Sequence, residues 1–287
     1  MAETVGERVS AVNLSDGAGG ATLRAMPLVA AVACPHTPQL LMRPDTEDRD
    51  LVLRVHAAYA RVKRMLADAR PDAICLIGGD HIEGFFLNAV PAFAVAVGAK
   101  VSGHFGPYDY SFPVHEPLAR AIVEQGIERE FDLLYTQDVP LDYAFYVPLH
   151  FTMPQPAVPI VPLYVNVYLP PQPTPRRCYA WGRALRAILD ARPERVALMA
   201  SGGMSHYPGT DRYASPDFEW DRAMLATLRE GRGAETARLT GDELDKAGNV
   251  EFRTWLTLLG AVGDARARIV AYEPSWHHGN AVVTWPV

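Results

Sequence analysis

The chain predicts an α/β fold: one catalytic domain with a central, largely parallel or mixed sheet flanked by helices. Its active site is expected at the carboxyl-terminal edge of the strands. Three observations carry this. Leu28–Ala33, Ala73–Ile77 and Val196–Ala200 are short, continuously apolar runs, as expected of strands buried on both faces. Stretches with helical periodicity separate them, so consecutive strands are joined by crossovers. Each run also ends on a small or turn-forming residue and delivers a histidine just beyond it: Cys34-Pro35-His36, Gly78-Gly79-Asp80-His81 and Ser201-Gly-Gly-Met-Ser-His206. One such histidine is most simply a loop residue. Three in the same setting point to convergence, because ligands of open α/β sheets bind at that edge.

At 287 residues, with 49% hydrophobic and 21% charged residues, the chain is long enough to bury a large core. A net charge of −6 gives no global reason to expect nucleic acid or an anionic membrane as partner. No apolar run approaches the roughly 20 residues needed to cross a bilayer. Cys34, Cys75 and Cys178 are odd in number and widely spaced. They fit reduced thiols in a cytoplasm better than a disulfide framework or a zinc knuckle.

Residues 1–25 are polar and Gly/Ala-rich without periodicity, so they read as a flexible or partner-docking extension before a catalytic domain over 26–287. Thr46-Glu-Asp-Arg starts a helix on which Leu51, Val55, Ala58, Tyr59, Val62, Leu66 and Ala69 recur at helical spacing, up to Arg70-Pro71. After the Ala73 strand, Ala92–Val97 is a further strand. Phe105–Pro113 reads as an aromatic loop, and a helix follows from about Glu116 to Gln125. Pro140–Pro148 reads as a second aromatic loop, ending near His150. Val158–Val167 is interrupted by prolines and is expected at an edge or as an irregular strand. Helices are expected over Tyr179–Ala191, over Asp217–Arg229 and from Gly248-Asn249 onward. Two closing strands, Arg268–Tyr272 and Ala281–Trp285, flank Trp276-His277-His278-Gly279.

Two strand-end histidines and one carboxylate from elsewhere make the facial triad that holds non-heme Fe(II). Glu251, in the first turn of its helix, is the candidate carboxylate, although an acid near a helix N-terminus also simply complements the dipole. The same donor types fit catalytic zinc, so a metal-dependent hydrolase is an alternative. A non-enzymatic binding protein on the same scaffold is another.

Pro35-His36-Thr37-Pro38, Gly78-Gly79-Asp80-His81, Ser201-Gly-Gly-Met-Ser205-His206 and Asn249-Val250-Glu251 occur in that order. As an ordered set they resemble the class III extradiol ring-cleavage dioxygenases, the family of the catalytic β subunit of protocatechuate 4,5-dioxygenase. The resemblance spans Leu28 to Val287. It implies that His36, His81 and Glu251 bind Fe(II) and that His206 is the catalytic acid/base. The substrates implied are O2 and a small catecholic or aminophenolic aromatic, as in aromatic catabolism. A homo-oligomer or a complex with a separate small α subunit is also implied. Asp80 is a candidate to orient His81 from behind, and Gly202, Gly203 and Ser205 are candidates for substrate contact. One position departs from the pattern: relatives carry a Leu-Asp-His-Gly-like motif, and this chain has Leu141-Asp142-Tyr143-Ala144. Tyr143 donates a hydrogen bond but is a poor proton acceptor at neutral pH. It is expected in the pocket, shifting substrate preference, while His150, His277 and His278 have no assigned role.

Overall fold

The computed structural model describes residues 27–85 and 87–287; the predicted extension lies outside the described residues. In chain order the strands are β1 (Leu28–Cys34), β2 (Ala73–Gly78), β3 (Phe93–Ala96), β4 (Lys100–Phe105), β5 (Tyr108–Pro113), β6 (Leu134–Thr136), β7 (Ile160–Val165), β8 (Val196–Ser201), β9 (Arg268–Pro274) and β10 (Gly279–Trp285). The helices are α1 (Gln39–Met42), α2 (Arg49–Ala69), α3 (Glu116–Glu128), α4 (Tyr143–Thr152), α5 (Pro175–Asp190), α6 (Phe218–Arg229), α7 (Gly241–Lys246) and α8 (Phe252–Val262).

Eight strands form one mixed sheet in the order β6-β3-β7-β2-β8-β1-β10-β9. The apolar runs β2, β8 and β1 are adjacent and parallel, with Cys75 opposite Leu198 and Ala31 opposite Leu198 on the other side. Buried on both faces, they have no reason to alternate polar with apolar residues. Their parallel direction brings all three histidine loops to one edge. β7 runs parallel to β2, so its following loop arrives there too. β10 runs antiparallel to β1, so its first residues, next to His277 and His278, start from the same edge.

Three sequence expectations change. Residues 105–113 are not a loop: β4 and β5 pair as an antiparallel hairpin, with Phe105 opposite Tyr108. The tight two-residue connection contains Gly106 at φ 57, a backbone setting that glycine adopts without penalty. Residues 140–148 contain the start of α4, capped by the Asp142 side chain accepting from the Ala144 N–H. Its apolar residues are buried on every side, so helical periodicity is hidden in the sequence. The proline-containing segment 158–167 supplies an inner strand, β7, because pairing with the short β3 ends at Leu163 and leaves Pro162 outside that ladder.

The helices that hold the site are anchored by specific contacts. α2 buries Leu51, Val55, Tyr59, Val62 and Leu66 on one stripe and is capped by Asp48. Its Tyr59 hydroxyl donates to the Pro35 carbonyl, tying α2 to the loop that carries His36. α8 packs against α5 where Gly182 and Gly260 meet with no room for a Cβ on either. Phe252 and Trp255 of α8 are fully buried, and truncating aromatics in such positions costs about 3–5 kcal/mol. The Trp255 indole N–H donates to the Gly202 carbonyl at 3.1 Å, and the Thr254 hydroxyl donates to the Ser201 carbonyl at 2.9 Å. The helix that begins after Glu251 is thereby locked to the loop that leads to His206.

Candidate active site

His36 leaves β1, His81 leaves β2, and Glu251 occupies the residue before α8 rather than its first turn. One ligand atom from each lies within 4.8 Å of the other two. His36 Nε2 is 3.2 Å and His81 Nε2 is 3.4 Å from Glu251 Oε1. The other nitrogen of each ring determines which face is free. Ser201 gives its single hydroxyl proton to the Ala144 carbonyl. It therefore accepts from His36 Nδ1–H at 2.9 Å, and the neutral ring keeps its lone pair on Nε2. Asp142 accepts from His81 Nδ1–H at 2.8 Å and from the His81 backbone N–H at 2.7 Å, which leaves His81 Nε2 free in the same way. Both lone pairs and the carboxylate thus face one point. That arrangement suits a divalent cation held by two imidazoles and one carboxylate.

Electrostatics agree. Burial lowers the proton affinity of His81, but its bonds to Asp142 and Glu251 outweigh burial and raise its pKa to about 10. Glu251 is fully buried, which works against its charge, yet His36 and His206 hold its pKa well below the usual carboxylate value. A point that stabilises protonated imidazole stabilises positive charge, and a metal ion brings positive charge.

His206 lies on the loop after β8. Its Nδ1–H donates to the Met204 carbonyl at 3.0 Å, which leaves Nε2, 3.6 Å from Glu251 Oε1, as the nitrogen that takes up or releases a proton. Burial lowers its pKa, and the charge of Glu251 overcomes this to give a net rise. The His278 ring packs on His206 with centroids 4.3 Å apart. Burial, and then the neighbouring His206, push the His278 pKa well below its usual value, keeping that ring neutral. Tyr143, the first residue of α4, stacks on His81 with centroids 4.0 Å apart and meets His36 edge-on at 5.6 Å. Burial and then Glu251 push its pKa far up, so it keeps its proton at neutral pH and can donate a hydrogen bond. These groups line a cavity of about 510 Å³, within the range of about 300–1,000 Å³ common to small-molecule sites.

Other predicted site residues have different neighbours. Asp80 does not reach the His81 ring; its carboxylate accepts from the backbone N–H groups of Ile82, Gly84 and Phe85 and shapes the loop. The partner of His81 is Asp142. Gly202 and Gly203 do not line the cavity. A Cβ on Gly202 would press on Thr254 and Glu251, and one on Gly203 would overlap the His278 ring. Gly203 instead donates its N–H to Glu251 Oε2 at 2.9 Å. Ser205 is fully buried, and its hydroxyl bonds the Ala247 carbonyl and the Asp217 N–H in place of a substrate. His150 is exposed and paired with the Tyr110 hydroxyl, away from the cavity.

Tyr168 is a cavity residue that no local pattern marks. Tyr168, just after β7, donates its hydroxyl to Glu251 Oε1 and lies 3.0 Å from His81 Nε2. The prolines of β7 disguise an inner strand, and its parallel pairing with β2 is what brings the following loop to the site. His277 and His278, left without a role by the sequence, both line the cavity.

The Asp142 contact makes a prediction. Asp142→Asn weakens the hold on the His81 ring and lowers metal affinity about 10–100-fold, the usual effect of losing such a support. Metal titration of the folded variant checks this; unchanged affinity would show that Asp142 serves α4 alone.

A family model described as the catalytic LigB subunit of aromatic ring-opening dioxygenase matches residues 30–283. The chain is 26% identical over 291 residues to 2,3-dihydroxyphenylpropionate/2,3-dihydroxicinnamic acid 1,2-dioxygenase of Klebsiella pneumoniae subsp. pneumoniae, covering 83% of this chain and 92% of the relative. It is 29% identical over 183 residues to the Escherichia coli O139:H28 protein of the same name, covering 63% and 58%. The crystal structure of an uncharacterized protein from Escherichia coli K12 superposes with a TM-score of 0.61 at 17% identity, over 90% of this chain and 100% of that one, a likeness of fold.

Proposed function

The chain belongs to the family of catalytic LigB subunits of aromatic ring-opening dioxygenases, and from that membership we propose an Fe(II)-dependent extradiol cleavage of a small catecholic or aminophenolic ring by O2. The observation that carries this reading is the convergence of His36 Nε2, His81 Nε2 and a Glu251 oxygen within 4.8 Å, beside a base that is not one of the three. Bound by these residues, Fe(II) supplies Lewis acidity to the vicinal ring heteroatoms and a site for O2. The remaining work falls to the protein. His206, with Nδ1–H held by Met204, takes a proton at Nε2 from the ring substituent and returns one later. His278 packs on that ring and limits its rotation. Tyr168 holds Glu251 by its hydroxyl, and Tyr143 covers His81 and offers a hydrogen bond into the cavity.

Tyr143→Phe is expected to leave metal content intact and lower kcat/KM for the true substrate by about 1–3 kcal/mol, the cost of leaving a buried polar partner unmet. Unchanged kinetics across catechols and aminophenols would assign Tyr143 to packing alone.

The reading as a whole is tested by loading the protein anaerobically with Fe(II) or Zn(II), then measuring O2 uptake with catechols and 2-aminophenols. The expected result is uptake of one O2 per ring opened with Fe(II) and none with Zn(II); turnover restored by Zn(II) would overturn it. The same reading includes a homo-oligomer or a complex with a small α subunit, which sedimentation of the purified chain distinguishes. A cytoplasmic setting is also part of it. Supporting that, Cys34, Cys75 and Cys178 are buried free thiols, and no helix among the described residues is long and apolar enough to cross a membrane.

A further inference from the structure

The residue that follows His81 has a strained backbone. Ile82 has φ 67, one of four non-glycine residues with a positive φ among those described. The other three end helices: Arg43 and Arg70 are the C-caps of α1 and α2, and Glu130 lies just past α3. Left-handed residues are common there because they close the last helical turn. Ile82 ends no helix. It is also β-branched, so its Cβ crowds its own backbone in a setting that glycine adopts freely. Glycine stands nearby where packing leaves no room for a Cβ: one on Gly79 would press on Val167, and one on Gly84 on Val139.

That conformation is held on both sides. The Asp80 carboxylate accepts from the Ile82 N–H at 3.1 Å, the Gly84 N–H at 2.8 Å and the Phe85 N–H at 3.1 Å. Asp142 accepts from the His81 N–H at 2.7 Å and from the His81 ring. What these contacts present is an isoleucine that is 42% exposed, outside the buried core and in the lining of the cavity. Histidines, tyrosines and polar side chains make up most of that lining. Besides Pro38 and Pro208, Ile82 is its one aliphatic residue among those described. Small-molecule sites are lined mainly by apolar groups, so the apolar contact available here is concentrated in few residues. A strained backbone that carries an exposed aliphatic side chain beside a ligand residue points to a functional contact.

We propose that Ile82 is a substrate-contacting residue, whose left-handed backbone presents an aliphatic side chain to the aromatic ring bound at the His36, His81 and Glu251 end of the cavity. The proposal rests on the ring-cleavage reading. Adjacent Cα atoms are about 3.8 Å apart, so the residue next to His81 is within a side chain's reach of a ring held at that end. The bound ring covers the isoleucine, and the apolar surface removed from water contributes to affinity. Asp80 is a positioning residue in this arrangement: it acts on the substrate through the backbone of Ile82.

Three variants test it: Ile82→Gly, Ile82→Asn and Ile82→Val. Glycine and asparagine accept a positive φ without offering an aliphatic surface, whereas valine keeps most of that surface. For each full-length variant, the Kd of catechol is measured by calorimetry on the Fe(II)-loaded protein under anaerobic conditions. Metal content and the thermal melt of the metal-free chain are measured alongside. Ile82→Gly and Ile82→Asn are expected to keep the metal, to melt no lower than the unaltered chain, and to bind catechol about five- to tenfold more weakly. Ile82→Val is expected to stay within about threefold of the unaltered protein. Unchanged catechol affinity in Ile82→Gly and Ile82→Asn overturns the contact. Weaker binding that only accompanies loss of metal also overturns it and assigns Ile82 to the support of His81. A melt lowered in both variants overturns it too, by placing the side chain in packing, and so does altered sedimentation with Kd unchanged, which places it in an interface between subunits. If the unaltered protein cleaves catechol and Ile82→Gly binds it equally well, the contact alone fails. If the unaltered protein neither binds nor cleaves catechols or 2-aminophenols, the ring-cleavage reading fails and takes the contact with it.

Discussion

Glu251→Ala is expected to empty the metal site and abolish ring cleavage while the chain stays folded. Glu251 is the only anionic member of the cluster of three and lies between the two imidazoles, 3.2 Å from His36 Nε2 and 3.4 Å from His81 Nε2. Without it, two neutral nitrogens remain, and two imidazoles hold Fe(II) far more weakly than a triad with a carboxylate. Folding should survive because the Glu251 side chain does not cap α8. The helix is fixed instead by buried Phe252 and Trp255 and by the bonds from Thr254 and Trp255 to the β8 loop. The losses are the acceptors for the Gly203 N–H and the Tyr168 hydroxyl, each worth about 1–3 kcal/mol if left unmet. Metal analysis together with a thermal melt reads both parts. A folded Glu251→Ala protein at full metal occupancy would overturn the ligand assignment.

The second large effect is at His206. His206→Gln is expected to keep the metal and bind the aromatic, but to turn over about 10²–10⁴-fold more slowly, the scale of a lost general acid/base. Geometry separates this residue from the ligands. Its Nε2 is 3.6 Å from Glu251 Oε1, and it does not belong to the cluster of three. Its position comes from neighbours that the substitution leaves in place. The Asp221 carboxylate accepts from the Ser205 N–H at 2.8 Å, and the Gly248 carbonyl accepts from the His206 N–H at 2.8 Å. Metal content, anaerobic substrate binding and kcat are measured on the same sample. Loss of metal as readily as in His36→Ala would move His206 into the ligand set.

Much of this site was legible because strand-end chemistry is local. Apolar runs with no alternation, each broken by glycine, proline or serine and followed by a histidine, are properties of a few consecutive residues, and they placed His36, His81 and His206 at strand ends. The helical stripe from Leu51 to Ala69 and the runs of β1, β2 and β8 depend on the same short-range periodicity, and the structure contains them. Local pattern also misleads where burial is complete. α4 is apolar all round and shows no helical stripe, while β7 contains a proline that only the short reach of β3 accommodates.

What the sequence by itself determined is that His36, His81 and His206 each follow the end of a buried strand. Only the tertiary structure decided which of them meet. Direction is the physical reason. β1, β2, β7 and β8 are parallel, so the loops bearing His36, His81, Tyr168 and His206 share one edge; β10 is antiparallel to β1, so His277 and His278 arrive there from a strand's beginning. Asp142 replaces Asp80 behind His81 because the first reaches the imidazole across 61 positions of chain, whereas the second is consumed by the backbone of its own turn. Glycines 202 and 203, which read as room for substrate, are room for Glu251 and His278. A side chain's partner is set by packing between segments distant in sequence, and no local pattern encodes it.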